Sequence, residues 1–277
     1  MKGSNVTPRS FALIAAASLL ALAGPDNAWS WNETGHSLII EEAIDSLPKP
    51  LKQFYEDREQ AIKEAASDPA KVAPRLIFEV DRLEPFPFDG LPQTRALAER
   101  KYGEDALAEA GDAPWRLAEA YDSLVEAFKA GKWEEVSTLS AEVSYVIGEM
   151  YVPMNISKWG DGEQTNQDGL RERFDSRLLD VYSSKLKVDA PDAIYLDRPT
   201  DYALSIPLKS FVWVDNLLLM DYMSRKGVES YDRFYYEGMW IRGADVVRTL
   251  FRGATMDTAS FWYSAWVDAR KPDLPKI

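Results

Sequence analysis

Residues 113–150, APWRLAEAYDSLVEAFKAGKWEEVSTLSAEVSYVIGEM, decide the fold class. Trp115, Ala118, Tyr121, Leu124, Val125 and Phe128 recur at spacings of three and four, so they share one face of an α-helix, and Gly131 supplies a stop. A second run from Trp133 to Met150 repeats the pattern with Val136, Leu139, Val143 and Val146. Each is an amphipathic helix facing a core. Outward from this pair the same periodicity predicts helices over 34–46, 51–66, 170–184, 208–225, 231–251 and 259–269. No run alternates apolar and polar residues convincingly, so the expected class is all-α, in one domain over residues 31–277.

Two stretches interrupt the helical pattern. Residues 78–92, FEVDRLEPFPFDGLP, are rich in proline and aromatics and read as an ordered excursion over the helices. Its aromatics, like those of Phe261–Trp266, are expected in the core rather than on a binding platform, while Asp81 and Glu84 are expected to be solvated. Residues 157–169, SKWGDGEQTNQDG, form a polar loop. Its Asp161, Glu163 and Asp168 resemble a calcium loop only loosely, because the spacing fits no EF-hand, and a solvated turn is the simpler reading.

At the N-terminus Lys2 and Arg9 precede an apolar run, Phe11 to Gly24, and Ala28 and Ser30 are small residues at the positions a signal peptidase reads. The expectation is a leader over 1–30, cut between Ser30 and Trp31, and a periplasmic or secreted protein; an uncleaved anchor is the alternative. No later stretch reads as apolar enough to span a bilayer, so no stable membrane insertion is expected after cleavage. Cysteine is absent, so stability must come from packing. With 45 acidic against 32 basic residues the formal net charge is −13, which repels nucleic acid and anionic membrane surfaces at long range and still permits a local cationic pocket.

A mature start of Trp31-Asn-Glu-Thr-Gly35-His36 would set the chain's only histidine six residues in. Further landmarks follow in order. They are Ala66-Ser67-Asp68-Pro69, residues 74–81 (PRLIFEVD), 144–155 (SYVIGEMYVPMN), 169–175 (GLRERFD) and 261–267 (FWYSAWV). Together these resemble the zinc-dependent phospholipase C and S1/P1 nuclease superfamily, whose members begin on a tryptophan and carry a glycine-histidine pair shortly after it. The resemblance implies an all-α fold in which three zinc ions, held by imidazoles and carboxylates, polarise a phosphodiester and ionise the attacking water. The first residue would contribute its α-amine and carbonyl to one ion, and the acid at position 149 would bridge ions.

This chain departs from the family pattern at nearly every histidine. Leu76, Tyr145, Asn155 and Arg171 occupy ligand positions, leaving Trp31, His36, Asp68, Glu149 and Asp175 in register. Leucine has no lone pair to offer, and arginine stays protonated and cannot ligate. By the resemblance, one ion keeps Asp68 and Glu149 and loses both imidazoles, and a second keeps only Asp175. The third alone stays chemically plausible, from the Trp31 amine and carbonyl, His36 and Glu149, for one divalent ion, zinc or harder.

For His36 the competing reading is a buried imidazole hydrogen-bonded to Glu149 or to a carbonyl. For Arg171 and Asp175 it is a helical ion pair, against direct binding of an anion by Arg171. Tyr145 is expected to bond a neighbouring carboxylate, with Arg171 or a protonated acid compensating the buried charge. The expected function is that of a non-catalytic relative which binds a small-molecule ligand or a protein partner. The alternatives are a phosphoric ester hydrolase working with one metal ion and a fold that binds a hard ion such as calcium for stability only.

Overall fold

The computed structural model describes residues 31–68, 77–228 and 230–275; the expected leader and Leu76 lie outside them. Among the described residues the secondary structure is helical throughout, with no strand, as the periodicity predicts.

The two helices that decide the class form the centre. Helix α6 (Ala113–Ala130) opens on Pro114 in its first turn and ends on Gly131 at φ 65°. There Gly131 N–H bonds the Phe128 carbonyl and Lys132 N–H the Ala127 carbonyl, at 3.2 and 3.1 Å. This paired closure needs a left-handed residue, which glycine supplies without strain. Helix α7 (Trp133–Met150) returns against α6. Helix α3 (Glu59–Ala66) flanks α7, and α11 (Pro199–Phe211) flanks α6. Helix α1 (Glu33–Asp45) lies across α7 and against the last helix, α13 (Arg233–Asp268).

Helix α13 merges the two closing helices expected from the sequence. It has 36 residues and spans about 54 Å at the α-helical rise. The apolar period fades between them because Thr255, Asp257 and Thr258 face inward and are buried. Asp257 finds its partners on other helices, in Tyr151, Tyr202 and Lys209, so tertiary packing carries the helix through a stretch of weak propensity. Gly243 and Gly253 serve close approach: a Cβ would lie 1.9 Å from Met220 Cε and 2.4 Å from Tyr151 Cε1.

Elsewhere the boundaries differ from expectation. The run 51–66 divides into α2 (Leu51–Glu56) and α3, because Arg58 leaves helical geometry at φ −120°, ψ 2°. The helix expected from 208 starts at Pro199, breaks at Val212–Trp213 and resumes as α12 (Val214–Arg225). Together 199–225 are long and apolar enough, by length and composition, to cross a membrane, which corrects the expectation that no such stretch follows the leader. Helices α4 (Arg95–Tyr102) and α5 (Glu104–Ala110) escape the sequence pattern, since each buries only one or two small or apolar side chains. After the short α8 (Pro153–Ile156), the run from 170 begins as α9 (Leu170–Glu172), widens into a π turn at Arg173–Arg177 and continues as α10 (Leu178–Tyr182).

Three carboxylates fasten the excursion and the polar loop, while Glu163 and Asp168 are exposed as a solvated turn predicts. Asp81 accepts from Ser157 Oγ and Lys158 N–H at 3.0 and 2.7 Å, and Glu84 accepts from Tyr102 and Lys101. Asp161 accepts the N–H groups of Gly169 and Arg171 at 3.0 and 2.7 Å, so it starts the helical run from 170 instead of facing solvent. Main-chain donors at such turns need acceptors, and these carboxylates supply them. Phe78 and Phe88 are core residues, as are Phe261, Trp262 and Trp266; Phe86 is 59% exposed.

Candidate functional site

Asn32 caps α1, its side chain accepting from Gly35 N–H at 3.0 Å and donating to Asp180 at 2.8 Å. Gly35 lets the preceding residue fold back, because a Cβ there would meet Trp31 Cβ at 2.8 Å. Trp31 is fully buried, its ring 5.6 Å from Phe174 and 4.5 Å from Phe251. The same cap aims His36 from the buried face of α1 at α7.

There His36 Nε2 donates to Glu149 Oε1 at 3.2 Å. Asn155, on α8, donates through Nδ2 to Glu149 Oε2 and to the Glu149 carbonyl, both at 3.3 Å. The Tyr145 ring, one turn before Glu149, stacks on the imidazole at 4.5 Å and 20°. Burial and the nearby Glu149 carboxylate push the Tyr145 hydroxyl well above its ordinary value, so it stays neutral. His36, Tyr145, Glu149 and Asn155 are each 5% exposed or less. Four of the positions singled out in the sequence therefore form one sealed polar cluster, with His36 buried and bonded to Glu149.

The remaining imidazole nitrogen, Nδ1, has no hydrogen-bond partner. It lies against the backbone of α7, where a Cβ on Gly148 would come within 3.1 Å of it. A tetrahedral zinc site takes four ligands, or three and an open position. Among the described residues no group of three or more His, Cys, Asp or Glu side chains converges in that way. The side-chain donors among the described residues do not fit the family's three ions, and His36 with Glu149 would need the amine and carbonyl of Trp31 to hold one.

Asp175 sits apart on the π turn, completely buried. Ser176 Oγ donates to its Oδ1 at 3.0 Å, and Oδ2 has no partner. Burial raises the Asp175 carboxyl well above the usual aspartate range, against the Ser176 hydrogen bond, with the Glu149 charge adding to the rise and Arg171 opposing it. The expected Arg171–Asp175 ion pair is not formed. Arg171 Nη2 donates instead to the Met154 carbonyl at 3.3 Å. The wide turn that starts at Arg173 breaks the one-turn register on which that pairing relied. Arg171 Nε is buried without a partner. Asp68 follows α3 and is half-buried.

Two fully buried acids lie outside the expected set. Asp221 accepts from Arg173 Nη2 at 3.0 Å, Gln167 at 2.7 Å and Tyr235 at 2.5 Å and is ion-paired with Arg225 Nε at 3.1 Å, tying the polar loop to α12 and α13. Asp257 accepts from Tyr151, Tyr202 and Lys209 at 2.7, 2.7 and 2.8 Å. Their signal in the sequence is a single acid inside an apolar helical run, as in LLLMDYM at 217–223. A charge in that setting must be paired or neutral.

No family model matches the chain, and no curated protein matches it in sequence. Among solved structures it is similar to alpha toxin from Clostridium absonum, with 12% identity and a TM-score of 0.48, over 91% of this chain and 67% of the toxin. The all-helical class itself rests on the chain's own helices, from α1 to α13.

Proposed function

We propose that this chain is an exported, non-catalytic relative of the zinc phospholipase C and S1/P1 nuclease enzymes. On this reading the former metal centre is a polar core that fastens α1 to α7, and the protein acts by binding a small molecule or a partner protein rather than by hydrolysis. One observation carries the reading. Glu149, the acid that in the family would bridge ions, spends its two carboxylate oxygens on His36 and Asn155 at 3.2 and 3.3 Å, in a cluster closed to solvent.

The chemistry agrees with it. Hydrolysis of a phosphodiester needs an activated water and a positive charge placed on the leaving group. A cluster that is 5% exposed or less at each member admits neither substrate nor attacking water. Polar groups hydrogen-bonded to one another inside a core contribute orientation and specificity of packing instead. His36, stacked on Tyr145 and bonded to Glu149, sets the register of α1 on α7.

Elemental analysis of the purified chain beginning at Trp31, with assay of an activated phosphodiester, tests the proposal. The expected result is no stoichiometric metal, no turnover, and a melting temperature unmoved by chelators or by added zinc or calcium. One ion per chain, with a phosphodiesterase rate that disappears in both Glu149→Ala and His36→Ala, would overturn it in favour of a single-metal hydrolase. A calcium-dependent melting temperature without turnover would overturn the metal-free core and leave a structural ion.

A further inference from the structure

An Asp-Gly pair can rearrange its own backbone, because glycine puts no side chain in the way of ring closure. The sequence contains three such pairs, Asp89-Gly90, Asp161-Gly162 and Asp168-Gly169, and no Asn-Gly. In the rearrangement the glycine nitrogen attacks the aspartate Cγ. The nitrogen gives up its proton, the protonated carboxyl gives up its hydroxyl, and the two leave as water while a cyclic imide closes. Water then opens the ring. Attack at Cγ restores aspartate, and attack at the main-chain carbonyl leaves isoaspartate, in which the chain runs through the side-chain carbon. Both reacting groups must be free: a nitrogen whose N–H is not held by an acceptor, and a carboxyl able to swing onto it.

The fold leaves one of the three pairs free. The Gly162 N–H donates to the Trp159 carbonyl at 3.0 Å, and Asp161 spends its oxygens on the N–H groups of Gly169 and Arg171 at 3.0 and 2.7 Å. The Gly169 N–H is thereby taken as well, which withholds it from Asp168. Asp89 and Gly90 differ. They are the middle residues of a turn that the Leu91 N–H closes on the Phe88 carbonyl at 3.2 Å, and that closing bond does not use the nitrogen of the third residue. Both are exposed, and among the described residues neither the Gly90 N–H nor the Asp89 carboxylate has a partner.

The neighbours hold the turn in this position. On one side Phe88, at φ 69°, is buried edge-on against Phe211 with centroids 4.9 Å apart. On the other, Lys101 Nζ donates to the Gly90 carbonyl at 2.8 Å. A Cβ at position 90 would lie 2.6 Å from Glu84 Oε2, on a carboxylate already bonded to Tyr102 at 2.5 Å. The packing that fastens the excursion to α4 therefore also demands a glycine after Asp89.

We infer that Asp89-Gly90 is a site of spontaneous isoaspartate formation in the folded protein, and that hydrogen bonds protect Asp161 and Asp168 from the same reaction. The product sets an α-carboxylate on an exposed turn, within reach of a methyltransferase specific for isoaspartyl groups. The inference stands apart from the reading of the buried cluster, and either can fail alone.

Warming the purified protein at neutral pH, below its melting transition, in heavy-oxygen water tests it, with peptides then mapped by mass in ordinary water. Each ring opening places one solvent oxygen in the residue, so the label reports closure whichever isomer forms. Label at Asp89 is expected to exceed that at Asp161 and at Asp168 by about tenfold or more, since protected nitrogens react only through local opening. Methyl transfer by the isoaspartyl-specific enzyme should rise in step. In urea the three pairs should label at similar rates, because the protecting bonds are gone. Asp89→Glu, which would have to close a larger ring, should abolish the methyl transfer while the melting temperature stays that of the parent. The inference is overturned if Asp161 or Asp168 labels as fast as Asp89 in the folded protein. It is equally overturned if Asp89 labels no faster than aspartates outside the Asp-Gly pairs, or if methyl transfer survives in Asp89→Glu.

Discussion

Replacing Asp175 by asparagine isolates the electrostatics of the buried centre. Asp175 is fully buried with one hydrogen bond, from Ser176 Oγ at 3.0 Å, and its other oxygen is unpartnered. Burial raises the carboxyl well above the ordinary value of 3.8. The folded chain therefore holds this proton more tightly than the unfolded chain does. Between the unfolded value and the raised folded one, the native state binds more protons, so the Asp175 contribution to stability falls as pH rises. It is fully present below the window and lost at about 1.4 kcal/mol per pH unit across it. Asparagine keeps the acceptor for Ser176 and has no proton to lose, so this slope disappears. Its amide N–H groups, placed where Oδ2 has no partner, cost about 1–3 kcal/mol, independent of pH. Urea unfolding of parent and variant at a series of pH values separates the two effects. The variant's relative stability is expected to climb steadily from acid toward neutral pH. A difference between the two proteins that stays constant with pH would refute the argument. A variant that loses ground as pH rises would mean that Asp175 is ionised and held by a cation.

Three further outcomes follow from particular contacts. Arg173→Leu leaves Asp221 with Arg225 as its remaining cationic partner and removes the link from the π turn to α12; it should cost about 3 kcal/mol in urea unfolding, as breaking a buried pair does. Gly111→Ala places a Cβ 1.6 Å from the Ile77 carbonyl oxygen at φ +94°, so it should destabilise by about 1–3 kcal/mol or more, read as a lower melting temperature. Chelators should leave the melting temperature unchanged, because the buried oxygens of Glu149 are held by His36 and Asn155.

Much of the fold is legible locally because helical periodicity is a local property. Trp115 to Phe128 mark one face of α6 whatever that face meets, and Gly131 ends the helix through its own backbone freedom. The break at Arg58 and the fusion of α13 are not legible in this way. In α13, Thr255, Asp257 and Thr258 interrupt the apolar period, and only the partners of Asp257 on Tyr151, Tyr202 and Lys209 make a polar residue acceptable inside the helix. Helices α4 and α5 bury too little to leave a periodic signal.

The candidate site divides along the same line. Which residue types stand at positions 36, 145, 149, 155, 171 and 175 is a matter of sequence, and so is the scarcity of imidazole and the absence of cysteine that any metal site must face. Where each hydrogen bond goes was decided by the tertiary structure. A one-turn spacing suggests that Arg171 pairs with Asp175, but the π turn at Arg173–Arg177 sends the guanidinium to Met154 and leaves the acid buried with Ser176. Glu149 meets His36 and Asn155 because α1 and α8 converge on the end of α7, and Gly148 permits the approach. Spacing along one helix constrains which side chains share a face. Pairing between elements depends on how closely their backbones approach, and that is set by the packing of the whole core.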